Sequence, residues 1–200
     1  MTEKILIILF PLLGIVTFVA RNLIVHSRIQ KKVKASDPLL TTSIILTILC
    51  ILMTIVSTHS EYWYEKMGAI SFLRLDWISY VGLFLFGFNV ILGWFISAQL
   101  KESWRIGVHQ DQRTDLIKNG IYAYTRNPYF LSYFIMFVSL FLVRPSFAMI
   151  LLIILTIAVF HLLVLKEEDH LMIIHGKEYE KYKKTTGRYL PLFLRGKYTR

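Results

Sequence analysis

Arg126, His161, Glu167 and Glu168 are ionisable side chains set inside or at the edges of the last two apolar runs of this 200-residue chain. A guanidinium grips carboxylates or phosphates with paired hydrogen bonds, and carboxylates accept from hydroxyl and ammonium groups. An imidazole can move a proton. Ionisable groups at membrane depth are costly enough to count as functional candidates by default, and His161 lies about one turn inside the apolar limit. The alternative for His161 is a neutral ring hydrogen-bonded to a neighbouring helix, and for the two acids an interfacial charge pair with Arg126 or Lys166.

Spacing brings these groups together. Gly120-Ile121-Tyr122 and Arg126-Asn127-Pro128 open one apolar run, Arg144-Pro145 breaks it, and a second run ends in Lys166-Glu167-Glu168-Asp169-His170. With so short a connection the two runs form an antiparallel helical hairpin. Arg126 is 19 residues before Pro145, while His161 and Glu168 are 16 and 23 residues after it. At the α-helical rise these are about 28, 24 and 34 Å, so Arg126 falls in depth between His161 and Glu168. His161 and Glu168 share one face of their helix, and Glu167 points about 100° away.

The elements that must hold this hairpin are membrane helices. Apolar residues make up 55% of the sequence and the formal charge is +10. Five apolar runs, 5–20, 39–57, 77–98, 128–143 and 147–165, compare with the ~20 residues a spanning helix needs. The expected fold is all-α, a polytopic membrane bundle of about five transmembrane helices forming a single domain. Residues 1–100 supply scaffold helices, and residues 101–200 supply the hairpin and a C-terminal segment. Of the 23 Lys and Arg, nineteen lie after run one, after run three or in the tail. The preference of basic residues for the cytoplasm then predicts an outside N-terminus, a cytoplasmic C-terminus and a site facing the cytoplasm. Basic residues between spanning runs read as juxtamembrane charge, not as a nucleic-acid surface.

Smaller features fill in the scaffold. The lone Cys50 excludes an intramolecular disulfide or a Cys-based metal site, and no metal site is expected. Pro11 and Gly14 allow a bend in run one. Asp37-Pro38 reads as a helix start. Tyr62, Trp63 and Tyr64 read as an interfacial belt. Asn89, in mid-run, is expected to face the bundle, as a packing hydrogen bond or as a ligand contact. The last helix should continue past the membrane to Gly176, followed by a short basic helix and a segment from Arg188 returning to the interface.

Gly120-x-Tyr122, Arg126-Asn127-Pro128, Glu167-Glu168-x-x-Leu171, Gly176-x-x-Tyr179-x-x-Tyr182 and Pro191, in this order around a hairpin, resemble the C-terminal signature of the isoprenylcysteine carboxyl methyltransferase family. Those membrane enzymes are related to phospholipid methyltransferases. Ser103-Trp104-Arg105-Ile106-Gly107 is similar to bacterial members, which extends the resemblance over roughly the last 100 residues. Asn127 stands where many members have His, and Phe130 where many have Tyr. The resemblance implies methyl transfer from S-adenosyl-L-methionine to a lipophilic acceptor: an isoprenylcysteine-like carboxylate, a lipid or a small hydrophobic molecule. Its implied cofactor residues are Arg126, Asn127, Pro128, Glu167 and Glu168, with Gly120 and Tyr122 in the wall and Tyr179 and Tyr182 as lid.

The residue types suit that donor. Glu167 or Glu168 can accept from its ribose and amino groups, Arg126 can meet its carboxylate, and aromatic faces of Tyr122, Tyr124 or Trp104 can face its positive sulfur. A carboxylate acceptor needs no base, whereas a thiol, phenol or amine would make His161 or Glu168 a candidate base. Arg126, Glu168 and His161 are thus the candidate catalytic residues. Two other readings are a sterol-reductase-like NADPH oxidoreductase and a non-enzymatic scaffold or transport protein. The paired acids with His175-Gly176 and Tyr179 favour methyl transfer over the first.

Overall fold

The computed structural model describes residues 2–29, 37–100 and 115–192, so Trp104 and Arg105 lie outside the described residues. Those residues form seven α-helices: α1 (Thr2–Ile29), α2 (Pro38–His59), α3 (Glu61–Lys66), α4 (Asp76–Gln99), α5 (Pro128–Val143), α6 (Phe147–His175) and α7 (Lys177–Thr185). The protein is all-helical, and β pairing among the described residues is limited to isolated bridges. Four helices, α1, α2, α4 and α6, are long and apolar enough to cross a membrane. The fifth apolar helix, α5, has 16 residues and rises about 24 Å.

Chain signals set the helix ends. Asp37 caps α2 by accepting from the Leu39 amide at 2.9 Å, with Pro38 in the first turn, where a missing N–H costs nothing. Ser146 caps α6, accepting from the Met149 amide at 3.3 Å. This helix runs without a break to His175 and stops at Gly176, so about three turns extend beyond the apolar run that ends at Leu165. Helix α1 is also longer than its run, continuing through the basic residues after Ala20 to Ile29.

The α5–α6 hairpin exists, but each arm leans mainly on another helix. Along α4 and α5 the backbones approach so closely that a Cβ on Gly82 would lie 2.8 Å from the Ser139 carbonyl oxygen. Ser79 Oγ donates to the Val143 carbonyl at 3.0 Å, tying the far ends of the same pair. Helix α6 packs on α2, with Cys50 Sγ 3.7 Å from Thr156 Oγ1. Phe160 of α6 meets α5 through Phe130, Tyr133 and Phe137, at ring-centroid distances of 6.0, 4.8 and 5.6 Å.

The hairpin turn is clamped by the segment after α2. Ile70 N donates to the Pro145 carbonyl and Phe147 N to the Gly68 carbonyl, both at 3.0 Å. Tyr64 is no belt residue. It is fully buried, donates to the Pro145 carbonyl at 3.0 Å and lies under the Arg144 guanidinium, 4.8 Å from ring centroid to charge. At the opposite end, Lys166 Nζ donates to Asp37 Oδ2 at 2.7 Å, holding the end of the α6 apolar run level with the start of α2.

Candidate active site

Beyond α7, residues 186–192 form a strap that crosses back over the hairpin. Arg126 N donates to the Gly187 carbonyl at 2.8 Å and Asn127 N to the Arg188 carbonyl at 3.1 Å, making a two-bond parallel ladder just ahead of α5. The tail segment expected to return to the interface makes this internal pairing, because the first residues before α5 need backbone partners that no helix supplies.

Glu168 is the knot of the strap. Its side chain is 2% exposed, and its carboxylate receives Arg126 Nε and Nη2 (3.1 and 3.0 Å), Arg188 Nε and Nη2 (3.1 and 2.9 Å) and Asn127 Nδ2 (2.9 Å). Two guanidiniums and an amide saturate both oxygens, which is how a buried carboxylate is tolerated. The hydrogen bonds it donates to Glu168 hold the Arg188 guanidinium above its ordinary pKa, so it stays charged. Arg126 is equally committed. Its Nη1 donates to the Lys183 and Thr186 carbonyls, so each guanidinium nitrogen already has a partner within the protein.

A cavity of about 610 Å³ begins at this cluster and continues between the helices. Tyr122, Arg126, Asn127, Glu167, Tyr179 and Tyr182 line its polar end. Its long arm is apolar and runs among α1, α2, α4 and α5 past Phe86, Tyr133 and Met136. Among the described residues Glu167 makes no hydrogen bond or ion pair, so its carboxylate is presented to the cavity. Tyr179 is 1% exposed, and its hydroxyl finds no hydrogen-bond partner although Arg126 is beside it. Burial, and then the Glu168 charge, raise this phenol above its ordinary pKa, which keeps it a neutral donor. Tyr182 donates its hydroxyl to the Tyr122 carbonyl at 2.5 Å and closes the wall.

The sequence candidates therefore divide. Tyr122, Arg126, Asn127, Pro128, Glu167, Tyr179 and Tyr182 line the cavity, and Gly120, His161 and Glu168 do not. Gly120 supports the wall from behind. Its φ of +60° suits glycine, and it leaves room for Gln99 Oε1 to accept from the Ile121 amide at 3.0 Å. His161 faces the strap, with Nδ1 2.8 Å from the Tyr189 hydroxyl. Tyr124 is exposed, Phe130 is buried against Phe160, and both Tyr129 and Phe130 line the cavity. Arg188 and Gln99 carry no motif of their own and were not candidates. A tail arginine following a basic helix was the only signal for Arg188.

The class defined by this fold and site is an integral membrane protein with a two-part cavity, polar at one end and apolar along its length. A family profile described as phospholipid methyltransferase matches residues 77–178, from α4 into α7, and the chain belongs to that family. Its members are integral membrane methyltransferases, isoprenylcysteine carboxyl methyltransferases among them. No curated protein matches the chain.

Proposed function

We propose that this membrane methyltransferase uses S-adenosyl-L-methionine and methylates a lipophilic acceptor held in the apolar arm, with the polar end of the cavity facing the cytoplasm. The single observation carrying this reading is the polar end itself. It offers a carboxylate without a partner, Glu167, and a buried hydroxyl without a partner, Tyr179, beside a cluster in which one carboxylate meets two guanidiniums. An amino-acid headgroup carries both an ammonium and a carboxylate. Glu167 suits the first, and the net positive charge of the Arg126–Glu168–Arg188 cluster, with the Tyr179 hydroxyl, suits the second.

When bound, the donor supplies an electrophilic methyl group: its S–CH₃ bond breaks as the bond to the acceptor forms, leaving S-adenosylhomocysteine. The protein's contribution is placement and dryness. Tyr122 and Tyr182 form the wall, and the strap pairs with the residues just ahead of α5. Arg126 and Glu168 act as positioning residues, because their hydrogen bonds are spent on holding that strap. His161 is a positioning residue of the same kind, fixing Tyr189.

Calorimetric titration of the detergent-solubilised protein with S-adenosylhomocysteine tests the donor assignment. Binding on the micromolar scale is expected, with Glu167→Gln and Tyr179→Phe each weakening it while thermal stability is retained. Absence of binding by a folded wild-type protein overturns the reading, and the reductase and scaffold readings both expect that silence.

A further inference from the structure

The cavity's apolar arm contains one amide. Asn89 lies at the middle of α4, is 8% exposed and lines the cavity. Its Oδ1 is shut off from solvent and has no hydrogen-bond partner, and its Nδ2 makes no hydrogen bond among the described residues either. The sequence leads one to expect a bundle-facing amide, bonded to a neighbouring helix or in contact with a ligand. The structure supplies the orientation without the interhelical bond. A buried amide left unpaired forfeits its hydration, at a cost of about 1–3 kcal/mol. Replacing it with an apolar side chain of the same size would remove that cost, so packing alone gives no reason for Asn at this position.

Depth along α4 fixes what the amide can read. Gln99, ten residues further on, holds the Ile121 amide, and the adjacent Tyr122 lines the polar end. Ten residues of helix rise about 15 Å, which is then the axial separation between the polar end and the Asn89 amide. Between them the arm is walled by large side chains such as Trp94, Tyr133 and Met136.

We propose that Asn89 is a specificity subsite. It recognises a hydroxyl group carried by an elongated, otherwise apolar acceptor about 15 Å from the end that is held beside Glu167. The proposal rests on the methyltransferase reading only in taking the cavity's long occupant to be the acceptor. A hydroxyl can donate to the unpaired Oδ1 and accept from Nδ2, so one such group completes the amide. A purely hydrocarbon chain would leave it unpaired and bind less well, which is how buried polar groups generate selectivity.

The test uses two probes that differ in one hydroxyl, octadecan-1-ol and octadecane-1,12-diol, titrated into the solubilised full chain. Binding is read by tryptophan fluorescence, since Trp94 lines the cavity. On the wild type the diol should bind on the order of tenfold more tightly, the net worth of one well-formed hydrogen bond. In Asn89→Leu the diol's advantage should vanish, octadecan-1-ol should bind as before, and the ligand-free melting temperature should hold or rise. Equal binding of the two probes to the wild type overturns the proposal, as does a fall in melting temperature in Asn89→Leu, which would make the amide structural. S-adenosylhomocysteine titrated into the same samples keeps the two readings apart. Its failure to bind strikes the donor assignment, while the alcohol pair alone decides the subsite.

Discussion

Two adjacent acids do opposite things. Glu168 is locked between Arg126 and Arg188 out of contact with the cavity, and Glu167, one position earlier and about 100° around the helix, is offered to it. Removing the buried charge strands two guanidiniums, so Glu168→Gln should cost about 3–5 kcal/mol in unfolding free energy. Glu167→Gln should leave stability nearly unchanged. Chemical denaturation of both variants in detergent checks the contrast, and equal losses would dissolve the division of labour. Arg188→Ala should cost less than Glu168→Gln, because Arg188 is the more exposed partner.

This division was half legible in the sequence. Counting residues from Pro145 put Arg126 at the depth of the acids, and the pair is observed at 3.0 Å. Counting could not say which acid it meets, because that depends on how α6 is rotated against α2 and α5. Arg188 was hidden for a different reason. Its place comes from backbone bonds between 186–188 and 125–127, residues some sixty positions apart with no periodicity to betray them.

At the level of elements, the Asp37–Lys166 contact joins the start of α2 to the end of the α6 apolar run. Burial alone would raise the Asp37 pKa, but the Lys166 hydrogen bond and the Leu39 amide outweigh it, and the carboxyl sits below its ordinary value. A group depressed in the folded state contributes stability above its unfolded pKa, about 3.9, and loses it as pH falls through the folded value. Melting temperature should therefore drop more steeply below about pH 4 in the wild type than in Asp37→Asn, which keeps a capping oxygen without the titration. Parallel acid limbs would contradict the assignment. The helices themselves were readable from the apolar runs, the Asp37-Pro38 start and the Gly176 stop. Their pairing was less so. The sequence showed that α5 and α6 are joined by a tight turn, whereas the close α4–α5 contact at Gly82 depends on side-chain size across two helices far apart in the chain.

For the whole molecule, charge asymmetry argues an arrangement that geometry alone does not orient. The Tyr64–Pro145 clamp lies at one end of the bundle, and α7, the strap and the polar end of the cavity lie at the other. With the basic segments cytoplasmic, a cysteine introduced at Ser71 should react in intact cells with a membrane-impermeant maleimide, and one at Thr185 only after lysis. Both positions are exposed, and the native Cys50 is buried and silent. The reverse pattern would invert the orientation and place the site on the outside.

Methyl transfer itself is measured most directly by incubating membranes that contain the protein with S-adenosylmethionine labelled in its methyl group and following the label into organic-extractable material. Label should accumulate there with the wild type and fall to the level of protein-free membranes with Glu167→Gln. If the wild type binds S-adenosylhomocysteine yet moves no label into that fraction above the protein-free level, the assignment of a lipophilic methyl acceptor to the apolar arm is contradicted.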